Sequence, residues 1–156
     1  MLNILFLICN FLNYSNTLFT INSNKIIHII DNQILLNSNK DIIINYEKRI
    51  KSKERIIKKI QNNRVPYDIY GLRIIYNDSN NYHNYDFAYT IKNILTSNFN
   101  TLDYLYDDYI AKPKSNNYQS LHIYVLTNIL LEIQIRNSFM HEISEHGSAS
   151  QYYKIK

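Results

Sequence analysis

The sequence predicts a single α+β domain in which helices flank a mixed β-sheet. Three observations lead there. Its 156 residues suffice for one core that removes about two-thirds of the unfolded surface from water. Segments of helical period and runs rich in β-branched residues follow in the order helix, strands, helix, strand, helix, hairpin, helix, as in a sheet covered by helices. Finally, "LHIYVLTNILLEIQIRN" alternates apolar and other residues on both sides of Thr127-Asn128, the mark of a β-hairpin.

Taken in order, Leu2, Ile4, Leu5, Ile8 and Leu12 recur at helical spacing and predict the buried face of an N-terminal helix. The first 24 residues carry no charge. The apolar run is too short to span a membrane, and it has neither a basic flank nor a small-residue cleavage site, which argues against a secretory signal. An organellar leader over 1–24 is the remaining alternative. The runs "KIIHIID", "QILLN" and "DIIINYE", within residues 24–48, read as short strands because they are rich in β-branched residues between Asn, Ser and Asp. "SKERIIKKIQN", residues 52–62, places Ile56, Ile57 and Ile60 on one side of a helix. "DIYGLRIIYND" is a strand leading to a polar turn. Phe87, Ile91, Ile94 and Leu95 mark a helix within 82–98, and a last helix follows from Ser138. The expected division is an N-terminal helix with short strands over 1–39 and the main unit over 40–156, effectively one domain.

Composition narrows the classes. Charged residues make up 19% of the chain and the net charge is +4, which suits a soluble protein that meets anionic ligands but is too modest to establish nucleic-acid binding. The single cysteine, Cys9, excludes an internal disulfide framework and a cysteine-built zinc site. A reducing compartment, cytoplasmic by default, is expected, with no membrane partner. There are only two glycines. Gly71 therefore marks either a close approach of backbone to a ligand or neighbouring element, or a β-bulge.

Four segments carry candidate chemistry. In "EKRIKSKERIIKK", residues 47–59, Arg49 and Lys51 alternate at strand spacing and Lys53, Arg55, Lys58 and Lys59 extend the charge into a helix. An arginine with a lysine makes a polyphosphate clamp, and a solvated helix face is the plainer alternative. In "YDIYGLRII", Asp68 precedes a strand with Arg73 near its middle. A carboxylate there suits Mg²⁺, which binds through one or two carboxylates plus substrate phosphates, although it also suits a turn cap after Pro66. In "DDYIAKPKSNNYQSLHIYV", Lys112 and Lys114 flank Pro113, Tyr118 offers a stacking face and His122 alternates off the core face. A lone strand histidine is more often structural. In "LLEIQIRNSFMHEISEHG", Glu132, Gln134 and Arg136 share one strand face, either as site residues or as a solvated sheet face. His141 and Glu145, one helical turn apart, suit an ordinary polar contact better than a metal site.

In this order the segments resemble the synthetase domain of the RelA/SpoT family, whose members make the alarmone (p)ppGpp. The resemblance rests on "RIK" at 49–51, "DIYGLR" at 68–73, "DYIAKPKSNNYQSLH" at 108–122, "EIQIR" at 132–136, "MHEISEHG" at 140–147 and "YK" at 153–154. It spans roughly residues 40–156 and implies the nucleotidyltransferase-like fold of that family. No hydrolase His-Asp motif occurs, so the likeness is to a stand-alone small synthetase.

The resemblance implies transfer of pyrophosphate from ATP to the ribose 3′-OH of GTP or GDP, with release of AMP. By family match Asp68 would hold Mg²⁺, and Glu132 would be the general base or a second metal contact. Arg49 and Arg73 would sandwich adenine or hold phosphates, while Lys51 and Lys59 would bind the ATP phosphates. Tyr118 would stack on the acceptor guanine, with Lys114, His122, Gln134 and Arg136 completing the acceptor pocket. A homo-oligomer is in keeping with small synthetases, which are often tetramers.

Several positions depart from the family pattern. Arg55 replaces a usual Ser, Asn117 a usual Gly, and Ile123 and Asn137 frequent Thr residues; Asn tolerates the left-handed backbone that a Gly position often needs. Before Tyr109, "LYDD" resembles the acidic version of that loop in monofunctional synthetases, which implies a GTP preference, with Leu105 in place of the usual first acid. The rival readings are a toxin-type member that pyrophosphorylates adenosine nucleotides or the tRNA 3′ end, and a non-catalytic nucleotide sensor.

Overall fold

The computed structural model describes residues 2–36, 41–81 and 83–147, with side chains from Asn16 onward. The "YK" pair and the apolar positions from Leu2 to Leu12 fall outside the described residues or side chains. The order of elements is α1 (Leu2–Leu36), β1 (Ile42–Ile50), α2 (Lys53–Gln61), β2 (Tyr70–Asp78), α3 (Asp86–Asn98), β3 (Asn100–Thr101), a 3₁₀ turn (Asp103–Leu105), β4 (Asp107–Asp108), β5 (Leu121–Leu126), β6 (Leu130–Asn137) and α4 (Ser138–His146). The sheet runs β1-β2-β6-β5-β3, with β4 also paired to β5. Among the described residues only β2 and β6 pair in parallel, so the sheet is mixed, as expected.

One expectation is overturned. "KIIHIID" and, as far as Leu36, "QILLN" are not strands but part of the C-terminal half of α1, and Asn37 lies outside the described residues. Phe19, Ser23, Ile26, Ile30 and Ile34 are buried, at intervals of three and four residues, which only a helix places on one face. The isoleucine-rich runs have high β propensity, but packing against the sheet overrides so weak a preference. Phe19 meets Tyr70 of β2 at a centroid distance of 5.2 Å, and the Tyr46 hydroxyl of β1 donates to Asp31 at 2.6 Å.

One sheet face forms the core. Leu72, Ile74 and Tyr76 of β2, Leu121, Ile123 and Val125 of β5, and Leu131, Ile133 and Ile135 of β6 pack with α1 and with Phe87, Ala88, Ile91, Ile94 and Leu95 of α3. Ile123, where the family often has Thr, is thus a core residue. Two helices begin on side chains that readily accept from free backbone amides. Ser52 Oγ accepts from the Arg55 amide at the start of α2, and Asn137 Oδ1 accepts from the Met140 amide at 2.8 Å at the start of α4. Asn137 therefore retains a polar capping role at another family Thr position. Within α2, Ile56 is buried, whereas Ile60 is 46% exposed, so the apolar side predicted there is narrower than expected.

Gly71 is not a bulge, because the ladders to β1 and β6 continue unbroken through it. A Cβ would meet the Arg49 and Glu132 carbonyl oxygens at 3.8 Å, ordinary contact. The glycine instead leaves a gap on the sheet face opposite the core, between Arg49 and Glu132.

Candidate active site

The strand register sorts the polar residues of that second face into two adjacent rungs. Glu47, Arg73, Gln134 and His122 lie level across β1, β2, β6 and β5; Arg49, Gly71, Glu132 and Tyr124 form the next rung. Side chains directly opposite on neighbouring strands share a face. Residues far apart along the chain are therefore brought side by side.

At one end of the rungs, just before β2, stands Asp68. Lys51 pairs with its Oδ2, and Lys59 Nζ reaches its Oδ1 at 2.8 Å. Burial pushes the Asp68 carboxyl up, but the hydrogen bonds and charges of the two lysines outweigh it and hold it below the usual carboxylate range. Burial also lowers the Lys51 ammonium below its ordinary value. Arg49 is exposed and has no ion-pair partner among the described residues.

Glu132 sits at the centre of the second rung, 8% exposed. The Tyr124 hydroxyl donates to its Oε1 at 3.1 Å, Gln134 Nε2 donates to its Oε2 at 2.9 Å, and His122 Nδ1 lies 3.2 Å from Oε1. The Tyr118 hydroxyl is 2.7 Å from His122 Nε2. An ionised carboxylate only accepts, so Nδ1 carries the hydrogen toward Glu132 and, in the neutral ring, Nε2 accepts from Tyr118. Burial raises the Glu132 carboxyl, yet the His122 and Tyr124 contacts leave it below its ordinary value. The charge of Asp68 raises it. Burial and the nearby Glu132 charge push the Tyr124 hydroxyl up.

The loop before β5 folds over this network. Lys114 Nζ lies 4.0 Å from the Tyr109 ring centroid and 5.2 Å from that of Tyr118, within cation–π range. Tyr118 is 8% exposed, with Tyr109 against it at 5.9 Å. Asn117 has φ 61°, the left-handed conformation expected where the family has Gly, and its amide donates to the Lys114 carbonyl at 2.8 Å to close the turn.

On the other rung Arg73 Nη1 lies 2.6 Å from Glu47 Oε2 and 3.4 Å from Glu145 Oε1. Arg136 is fully buried, with Nη2 3.3 Å from the same Glu145 oxygen. Burial and the neighbouring Arg73 charge pull its guanidinium down to about 10. Sequence reasoning paired Glu145 with His141; the structure turns it to the two arginines and leaves His141 Nδ1 without a hydrogen-bond partner. Glu47, Tyr109 and Tyr124 went unassigned from sequence. Tyr124 was legible as the residue sharing the His122 face two positions on, but Glu47 needed the β1–β2 register.

The donor set suits a hard cation. Asp68, just before β2, and Glu132, on the neighbouring β6, would supply carboxylate oxygens of the kind found in magnesium sites completed by substrate phosphates. Among the described residues no group of three or more His, Cys, Asp or Glu side chains is gathered for a metal.

Comparison with known proteins adds an independent line. A family model described as the region found in RelA / SpoT proteins matches residues 48–156. A relative from Mycoplasma pneumoniae, named a probable guanosine-3′,5′-bis(diphosphate) 3′-pyrophosphohydrolase, is 33% identical over 159 aligned residues covering 92% of this chain. This chain spans only 20% of that relative's length. Among solved structures, small alarmone synthetase 2 from Bacillus subtilis has 27% identity and a TM-score of 0.58, over 85% of this chain and 80% of that one. Small alarmone synthetase 1 from the same organism, bound to its product pppGpp, has 26% identity and a TM-score of 0.56, over 70% and 62%.

Proposed function

The chain belongs to the RelA/SpoT family, and from that premise we propose that it transfers pyrophosphate from ATP to the 3′-OH of GTP or GDP, yielding (p)ppGpp and AMP. One observation carries this reading: Lys51 and Lys59 hold Asp68 just before β2, and Glu132 stands on the neighbouring strand β6 within range of the Asp68 charge. The relatives carry both hydrolase and synthetase names. The pair of lysines at Asp68 favours transfer, since they present cations to a polyphosphate.

The 3′ oxygen of the acceptor attacks the β-phosphorus of ATP, and the bond to the AMP oxygen breaks. Glu132, kept ionised by its three hydrogen-bond donors, takes the hydrogen bond of the 3′-OH and then its proton. His122 and Tyr124 fix the orientation of that carboxylate, and a positioned base contributes about 10²–10⁴ in rate. Lys51 and Lys59 exchange Asp68 for the ATP phosphates. Asp68 and Glu132 would hold Mg²⁺, which when bound neutralises charge on the transferred group. Arg49 and Arg73, one on each rung, flank the donor. The gap over Gly71 leaves space between Arg49 and Glu132. Tyr118 receives the acceptor base once Lys114 leaves the aromatic rings for the acceptor phosphates, with Gln134 and His122 lining the pocket.

The test is incubation of the purified chain with ATP and Mg²⁺ and, in separate reactions, GDP, GTP and tRNA, beside a Glu132→Gln control. Anion-exchange chromatography should resolve a guanosine 3′-diphosphate and an equal amount of AMP, both absent in the control. AMP formed only with tRNA would replace this reading by the toxin type. Loss of pyrophosphate from added ppGpp, with no transfer from ATP, would replace it by hydrolysis.

A further inference from the structure

Glu145 is the carboxylate that two arginines of the site share. Its Oε1 lies 3.4 Å from Arg73 Nη1 and 3.3 Å from Arg136 Nη2. The Arg136 side chain is 1% exposed, and its Nε and Nη1 have no hydrogen-bond partner. Among the described residues Glu145 is the only carboxylate within ion-pair distance of it. A buried guanidinium that loses its counter-ion is costly and repels a like charge beside it. Here that like charge is Arg73, whose rung lies next to that of Arg136 on the parallel β2–β6 ladder.

Arg73 has a second partner. Glu47 projects from edge strand β1 and holds the same Nη1 at 2.6 Å. Glu47 on β1 and Glu145 on α4 therefore compete for the same Arg73 nitrogen. We propose that Glu145 is a positioning residue for the donor nucleotide: by neutralising Arg136 and sharing Arg73, it keeps the Arg73 guanidinium over the sheet face rather than surrendered to Glu47. The proposal rests on the reading of Arg73 as an ATP contact. It assigns to α4, through one carboxylate, control over how tightly the donor is held.

The competition between the two carboxylates sets the sign of each outcome. Glu145→Gln raises KM for ATP and the calorimetric Kd for a non-hydrolysable ATP analogue about tenfold, the scale of one charge-assisted hydrogen bond. It leaves kcat within about twofold and KM for GDP unchanged. Glu145→Asp recovers part of the loss. Adding Glu47→Gln to Glu145→Gln restores most of the analogue affinity, because Arg73 no longer has an edge partner to capture it. Glu47→Gln alone tightens the analogue about threefold, a readout that survives even if Glu145 variants fail to fold. A merely structural Glu145 would lower thermal stability with no rescue by Glu47→Gln, and that result overturns the proposal. Wild-type affinity in both single variants overturns it too, while leaving the functional reading intact. A wild-type chain that binds no ATP analogue overturns both together.

Discussion

Lys59 Nζ stands 2.8 Å from Asp68 Oδ1, tying the last turn of α2 to the turn that precedes β2. Because Lys51 takes the other carboxylate oxygen, both lysines are neutralised by the one carboxylate. On the proposed function this half-buried cluster would exchange partners: phosphates would take the lysines, and the freed carboxylate would become available to a cation. On that reading metal and nucleotide would bind with positive coupling.

Titration of the free chain with Mg²⁺ alone should therefore give weak binding, and the nucleotide-bound chain should bind it at least about fivefold tighter, the lower end of typical coupling. Isothermal titration with and without a non-hydrolysable ATP analogue measures this. Equal Mg²⁺ affinity in both would remove the exchange. Asp68→Asn should abolish transfer and also lower stability by about 1–3 kcal/mol, since Lys51 is left half-buried with one partner fewer.

The chain of contacts from Tyr118 through His122 to Glu132 separates two roles of one tyrosine. Tyr118→Phe keeps the ring but frees His122 Nε2, so kcat should fall about 2- to 10-fold, the worth of one hydrogen bond, with acceptor KM little changed. Tyr118→Ala should raise acceptor KM as well. Steady-state kinetics on GDP and GTP decide it; identical KM for the Phe and Ala variants would remove the stacking role.

Acid should weaken the fold in two stages. Burial and the Arg136 charge hold the His141 ring below its ordinary value, so its contribution is present above the unfolded pKa of about 6.5 and declines as the pH falls below it. The Asp68 and Glu132 carboxyls are also depressed in the folded state. Their contribution is full above the unfolded values of about 4 and is lost as the pH falls through the lower folded values. Urea midpoints across pH 3 to 8 would show a shallow decline and then a steep one. His141→Gln should flatten the first stage and Asp68→Asn the second; unaltered profiles would contradict the assignment.

Asn117, at φ 61°, occupies backbone that costs an L-residue about 1–2 kcal/mol. Asn117→Gly should be neutral or slightly stabilising and leave transfer intact. Asn117→Val should cost about 1–2 kcal/mol and raise acceptor KM by loosening the Lys114–Tyr118 turn. Thermal melts with acceptor kinetics check both, and a Val variant as stable as the parent would show the turn to be dispensable.

Much of this protein was legible in its sequence because the signals were local. Alternation in residues 121–137 determined the hairpin and put Glu132, Gln134 and Arg136 on one face. The helical period of 52–62 and the Asn at 117 each announced their backbone, and the contiguous motifs announced the family. Tertiary structure decided what depends on residues distant along the chain. Residues 24–36 became helix rather than strand because Ile26, Ile30 and Ile34 found a sheet and α3 to pack on, and that gain exceeds a β preference of at most about 1 kcal/mol. Register alone set Glu47 against Arg73 and Arg49 beside Glu132 across the Gly71 gap. The fold of α4 onto the sheet turned Glu145 from its helical neighbour His141 to two arginines. Charge pairing in a buried site follows distance in space, and no spacing along the chain encodes it.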